Sequence, residues 1–296
     1  MKKTFITMML TLMFGMAAQA QDTDSIYARD LLPVGSKAPD FTLPTIDGKK
    51  LKLLNHSACY QVLDFWASWC GDCRKDIPAM KELYEKYNKA VRFIGVSFDD
   101  DKEKWMSCVQ QNKMKWNHVS ELKKWKETEI SQLYRIKWLP TMYLIDPEGK
   151  VVLATTQVEK LAAKLEELEA KGEFVIKLPE FTGGINVLTM FLSKNIKYPS
   201  EAEKYGFTAK VKLIFIVDAD GNISDEKIDK CTMNEPQTKR YEKLATAEKA
   251  QLRSHCQSLF CEEALRVIRL MPAWNPGSIG GRPARVKFTQ SITFKL

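Results

Sequence analysis

An α/β domain followed by a smaller α+β domain is the architecture this sequence predicts, from three observations. Strand-like and helix-like stretches alternate between residues 60 and 172; Pro179, Gly183 and Gly184 then punctuate a shift in composition; and the remainder ends on strands that alternate apolar and polar positions. A chain of 296 residues exceeds one typical domain of about 100 to 200. Its 45% hydrophobic content, with 7 Trp, 14 Phe and 9 Tyr, supplies two cores and excludes a disordered chain.

Lys2 and Lys3 precede an apolar run from Phe5 to Ala17 and the pattern Ala18-Gln19-Ala20. Residues 1–20 therefore read as a secretory signal cleaved near Ala20, because the run is shorter than the roughly 20 residues a membrane-spanning helix needs. No cysteine stands at the cleavage site, which disfavours a lipoprotein. The expectation is an exported, soluble, periplasmic protein. The formal net charge of +8 falls by two with Lys2 and Lys3, and the remaining excess sits after Pro179. With export and interspersed acids, this mild excess gives no nucleic-acid partner.

Residues 21–34 form a polar N-terminal lead, and residues 35–172 the first domain. Residues 35–43 enter extended, and Asp47-Gly48 marks a turn. Val62, Leu63, Phe65 and Trp66 read as a buried strand. A helix over 74–88 follows, with Met80, Leu83, Tyr84 and Tyr87 on one face. A strand over 91–98, helices over 102–111 and 123–133, and a strand pair, 142–145 and 151–154, about the turn at Asp146 to Gly149 come next. Leu161, Leu165 and Leu168 mark a closing helix stopped at Gly172, and residues 173–179 are a linker. In residues 180–296, Val211, Leu213, Phe215 and Val217 share a strand face before a turn at Asp218 to Asn222. A helix over 262–271 and a strand over 284–296 finish the chain.

The chemistry concentrates at Trp69-Cys70-Gly71-Asp72-Cys73, where a strand gives way to a helix. Free backbone N–H groups and the helix dipole at Cys70 favour thiolate over thiol, and Cys73, three residues on, lies on the same face. A zinc site would need two more suitably spaced ligands, and the sequence has no second C-x-x-C or H-x-x-x-H. A structural crosslink over so short a loop would stabilise little. Reversible dithiol exchange is the chemistry this pattern predicts. Leu139-Pro140-Thr141 stands just before a strand start beyond that helix, which predicts a cis proline facing the disulfide. His56 and His118 accompany no recognisable nucleophile motif, so hydrolase chemistry has no support.

With those motifs in place, the first half resembles the thioredoxin fold, and within it the exported TlpA/ResA type of thiol-disulfide oxidoreductase. The resemblance runs through Ala38, Pro39, Phe41 and Leu43, from Asp64 through both cysteines to Arg74, then Pro78, Leu139-Pro140-Thr141, and Leu144 to Gly149. It implies a mixed central sheet flanked by helices. It also implies Cys70 as nucleophile, Cys73 as resolving thiol, and Pro140 as the cis proline shaping a substrate groove with Trp69, Leu139 and Thr141. Asp64 matches the buried acid that takes a proton from the resolving cysteine, and burying a carboxylate in an apolar strand is otherwise costly. Gly71 and Asp72 are the redox-tuning positions. Asp72 replaces a common proline, and its charge opposes a Cys70 thiolate by roughly 0.7 kcal/mol at ~6 Å in water, which favours a reductase. Peroxiredoxins share an Ala-Pro-x-Phe-x-Leu entry but use T-x-x-C, and Ala67 stands three before Cys70.

The second half resembles the C-terminal domain of TonB-type proteins. The matching stretches are Pro179 to Gly184, Asn195 to Pro199, Val217 to Ile223, Glu263 to Ile268, Met271 to Gly277 and the final strand. The resemblance implies docking of an envelope protein by residues 180–296, through edge-strand pairing. It does not extend to energy transduction, which needs a membrane helix and a long linker. Cys231, Cys256 and Cys261 sit in an added stretch and suggest a structural disulfide from Cys231 to one of the other two. A metal site with His255 is poorly spaced. Cys59 and Cys108 read as small core residues, and Asp218-Ala-Asp220-Gly221 as a hairpin turn, because the calcium-loop acid is missing.

The functional expectation is an exported reductase of protein or peptide disulfides, using the Cys70-Cys73 dithiol with no organic cofactor or metal and reset by a membrane thiol electron donor. The competing expectation is an envelope binding module in which the thioredoxin-like half is a scaffold.

Overall fold

The computed structural model describes residues 22–53 and 59–296. The signal segment at residues 1–20 and His56 lie outside the described residues. In chain order the first half comprises α1 (Asp24–Tyr27), β1 (Thr42–Pro44), β2 (Lys50–Lys52), β3 (Tyr60–Trp66), α2 (Gly71–Tyr87), β4 (Val91–Ser97), α3 (Lys102–Gln111) and β5 (Asn117–Ser120). It continues through a 3-10 turn at Trp125–Glu127, α4 (Glu129–Leu133), β6 (Thr141–Ile145), β7 (Val151–Thr155) and α5 (Val158–Ala170). The second half comprises β8 (Ile176–Lys177), α6 (Gly184–Asn195), α7 (Ser200–Tyr205), β9 (Thr208–Val217) and β10 (Ile223–Asn234). It ends with α8 (Lys239–Glu242), α9 (Thr246–Arg269), β11 (Ser278–Ile279), β12 (Arg282–Pro283) and β13 (Val286–Phe294).

Five strands form the first sheet in the order β5-β4-β3-β6-β7, with β3, β4 and β5 parallel and β6 and β7 antiparallel. With helices packed against it, this mixed sheet is a thioredoxin-like fold. Central β3 is buried along all seven residues, which is why its sequence is a nearly continuous apolar run. Register sets Asp64 between Gly95 and Met142. Gly95 is required there, because a Cβ would lie 2.4 Å from the His118 ring nitrogen Nδ1. Helix α2 buries Cys73, Ile77, Met80, Leu83 and Tyr87, a helical stripe seated on the sheet.

Two sequence expectations change here. The helix expected over 123–133 is broken at Thr128, which is extended (φ −82°, ψ 136°) and buried, its hydroxyl donating to Trp125 O at 2.7 Å. The lead is part of the first unit: Asp24 accepts from the Thr155 hydroxyl at 2.7 Å and the Thr156 N–H at 2.7 Å, and Leu32 N–H donates to the Tyr143 hydroxyl at 3.0 Å.

In the second half, β10-β9-β13 form an antiparallel sheet, and α9 packs on it through Cys256, Phe260, Ala264, Val267 and Ile268. Sequence pattern placed only residues 262–271 in this helix. Its first turns interrupt the stripe with Lys249, Arg253 and His255, so the periodicity emerges late. The Asp218 carboxylate is used within its own turn, accepting the N–H groups of Asp220 at 2.9 Å and Asn222 at 2.8 Å. Gly221 (φ +89°) lets that turn approach Trp274, whose carbonyl oxygen a Cβ would meet at 2.1 Å.

The stretch expected as a linker is ordered by pairing. Strand β8 pairs with β11, and Ile279, Ala284 and Val286 pack with Ala90, Phe174 and Cys59. Arg282 bonds Glu173 at 2.8 Å and lies 5.7 Å over the Tyr60 ring. Tyr60 begins β3 and Ala90 precedes β4, so this contact sits at the opposite end of β3 from Trp66, about 20 Å away at ~3.3 Å per residue.

Candidate active site

Strand β3 delivers the chain to Trp66, and a short bend brings Cys70 to the N-cap of α2. Buried Asp99 braces this bend: its carboxylate accepts from the Ser68 N–H at 3.0 Å, the Ser68 hydroxyl at 2.5 Å and the Ser97 hydroxyl at 2.6 Å. Cys70 and Cys73 are joined in a disulfide with Cα atoms 5.3 Å apart. The Cys73 N–H donates to Cys70 Sγ at 3.1 Å, so the sulfur takes the position of a capping hydroxyl and receives one of the free N–H groups of the helix start. Trp69, beside it, is exposed and meets Trp125 at 6.3 Å between ring centroids.

The Leu139-Pro140 peptide bond is cis. Thr141, directly after it, pairs with Phe65 in register, so the proline loop is fixed to the strand that leads into the disulfide. The side chains of Leu139 and Thr141 are buried, and the Thr141 hydroxyl donates to Trp138 O at 2.7 Å. Of the four residues expected to shape a groove, Trp69 is exposed, whereas Leu139, Pro140 and Thr141 are buried.

Asp64, Cys73, Asp76 and Pro140 border a common void of ≈ 10 Å³, about the room one water needs. Burial, and then the charge of Asp76, push the Asp64 carboxyl up to about 7. Asp76, half-buried on α2, is itself raised to about 6 by burial and by Glu159 and Asp72, with Lys75 opposing. Asp76 is a site residue the motifs did not mark. Its signal was available in the spacing, because position i+3 from Cys73 lies on the same helix face. Asp99 had no local signal for the bend it braces, since 31 residues separate it from Ser68.

Asp72 is exposed and paired with Lys75 at 2.8 Å, so a cation answers the charge expected to oppose the Cys70 thiolate. A side chain at Gly71 would meet nothing within 4 Å. In the second half, Cys231, Cys256 and Cys261 are all free thiols in this structure. The geometry separates the two partners. Cys231 and Cys261 are side-chain hydrogen-bond neighbours between β10 and α9, and burial pushes the Cys231 thiol up to about 12. Cys256 instead faces the core of the second unit.

A disulfide capping a helix on a mixed sheet, beside a cis proline and a buried carboxyl, defines a thioredoxin-fold thiol-disulfide oxidoreductase. Residues 34–154 match the model of the AhpC/TSA family. The chain is 34% identical over 125 residues to thiol-disulfide oxidoreductase ResA of Bacillus cereus, covering 42% of this chain and 70% of that protein. To ResA of Bacillus subtilis (strain 168) it is 28% identical over 129 residues, 43% of this chain and 70% of the relative. A solved thiol-disulfide oxidoreductase from Bacteroides fragilis NCTC 9343 is 33% identical, covering 45% of this chain and 99% of its own, with a TM-score of 0.42. The chain belongs to the ResA family of thiol-disulfide oxidoreductases.

Proposed function

We propose that the protein works in the reducing direction on disulfides of exported proteins or peptides, and that the water-sized void joining Cys73 to Asp64 and Asp76 carries the decisive proton step. The Cys70 thiolate attacks one sulfur of the substrate disulfide; a mixed disulfide forms and the other substrate sulfur leaves as thiolate. Cys73 gives its proton to Asp64 and attacks Cys70 Sγ. The second substrate thiol leaves, and Cys70–Cys73 holds the two electrons' worth of oxidation. A carboxyl held at about 7 by burial accepts this proton near neutral pH and returns it, and half-buried Asp76 provides its route to solvent. Pro140, cis and bordering the same void, holds the extended substrate backbone beside the sulfurs. A membrane thiol donor resets the dithiol, and no organic cofactor or metal enters the cycle.

The signal segment supports export to the periplasm. Among the described residues no helix is long and apolar enough to cross a membrane. For residues 180–296 we carry the TonB C-terminal-like reading as a docking unit for an envelope protein, supported by the motifs above and by the two edge strands, β10 and β13, of its sheet. Cys231–Cys261 is the structural disulfide this reading assigns to that unit in an oxidising compartment.

Insulin reduction, with a dithiol as electron source, tests the reading. The wild type accelerates it and Cys70→Ser does not; equal rates would leave the first unit a scaffold. A Cys73→Ser variant, which attacks but cannot resolve, traps substrates as mixed disulfides. An unchanged set of trapped partners after deletion of 179–296 removes the docking role.

A further inference from the structure

We infer that the reductase selects disulfides flanked by acidic polypeptide, through a basic, tryptophan-walled groove whose wall residue Trp125 meets Trp69, the neighbour of Cys70. This rests on the reductase reading and names its substrate class. The groove has a volume of ≈ 990 Å³, at the upper end of the size of ligand sites, and its walls include Trp125 and Trp138. Both walls touch the active site. Trp125 meets Trp69, the neighbour of Cys70, and Trp138 leads directly into the cis Leu139-Pro140 bond. Tyr27 stacks on Trp138 at 3.9 Å and 15°, which holds that ring as a fixed platform.

Charge decides the occupant. Arg29, Lys126, Arg135 and Lys137 line the groove against a single carboxylate, Asp30. Lys137 pairs with Asp30 at 2.6 Å. Arg29 and Arg135 also act on that carboxylate, and the three cations together hold its pKa down. Among the described residues, Arg29, Lys126 and Arg135 have no ion-pair partner, whereas the cations at Lys49, Lys75 and Lys115 are each paired with a neighbouring acid. Arg135 takes a left-handed backbone (φ 55°) where a non-glycine residue is uncommon. A concave surface with four cations to one carboxylate raises the local concentration of anionic ligands. An extended segment whose cysteine reaches Cys70 runs past Trp69 into this groove, where Glu or Asp side chains meet the cations and apolar ones cover the indoles.

Two synthetic peptides sharing one internal disulfide, one flanked by Glu and one by Lys, test this on the signal-cleaved chain with dithiothreitol as reductant. The acidic peptide should show about 10-fold higher kcat/KM at low salt, through KM, with the gap closing at about 0.5 M salt. The double variant Arg29→Glu, Arg135→Glu should invert the order, and its turnover of the Lys-flanked peptide reports that it is folded. Equal kcat/KM for the two peptides would overturn the proposal and leave the reductase reading standing. Reduction of neither would overturn that reading; binding of the same peptides with Ser in place of Cys, followed by tryptophan fluorescence, then decides the groove. Equal or weaker binding of the acidic peptide overturns it.

Discussion

The two halves of the molecule bury their side chains in different ways. Among the described residues, every buried polar or charged side chain lies between Gln61 and Thr156, whereas the second unit buries apolar and aromatic side chains together with Cys256. Burying an ionisable group costs stability unless it is paired or neutral, and the first unit bears that cost next to its disulfide, at Asp64 and Asp99. The second unit has the simpler construction of a sheet face covered by one long helix. A region built for chemistry and a region built for shape are thus distinguishable by where polarity is buried. The contact between them keeps them apart, because β8, β11 and Arg282 join the units at the start of β3 while the disulfide stands past its end.

The sharpest way to break this comparison is at the disulfide. Cys70→Ser should abolish insulin reduction, with the rate falling to the dithiol background, because no other described cysteine is placed to attack at a helix start. Residual catalysis above background would mean that a second thiol turns over.

In the second unit, Phe215→Ala should destabilise the chain by about 3 to 5 kcal/mol in denaturant unfolding, since Phe215 is fully buried against Trp274 and Phe288. Its kcat on a small disulfide should stay within about twofold at temperatures where the chain is folded. A large fall in kcat would show that the two units are coupled in catalysis and not merely joined.

Asp64→Asn should slow the resolving step about 100-fold, measured as slower breakdown of the mixed disulfide. The same change should stabilise the oxidised protein by about 2 to 4 kcal/mol at pH 8. The sign follows from proton counts. With its carboxyl held at about 7, the folded state binds more protons than the unfolded chain between about pH 4 and 7, so wild-type stability falls as pH rises through that window. The Asn variant lacks this slope. Parallel stability profiles for the two proteins would mean that Asp64 is not held neutral by burial.

The smallest effect is expected at Asp76. Because its charge helps hold Asp64 up, Asp76→Asn should move the pH midpoint of turnover down by less than about one unit, with a few-fold change in rate. An upward shift would contradict the coupling between the two carboxyls.

Much of the first unit was legible because its signals are local. The continuous apolar run of β3, the stripe of α2 and the C-x-x-C at their junction each lie within a few residues. The leucines of α5 are as clear. The second unit was harder: α9 begins well before its stripe becomes regular, because its early turns face solvent with Lys249, Arg253 and His255. Asp76 was missed for a different reason. It is an ordinary acid on a helix until Asp64 and Cys73 are seen to share its void. Leu139 and Thr141 were assigned to the groove by motif alone, and a motif carries no information on their burial.

By itself the sequence determined the order of strands and helices, the dithiol and its position at a helix start, since hydrophobic period and residue spacing encode those directly. The tertiary structure decided which residues separated along the chain work together. It sets Asp99 under the Ser68 bend, Asp64 beside Asp76 around one void, and Arg29 with Arg135 in one groove. It also turned an expected linker into the strand that docks the second unit. Those relations depend on strand register and on side chains meeting across elements, and neither has a signature within any short stretch of sequence.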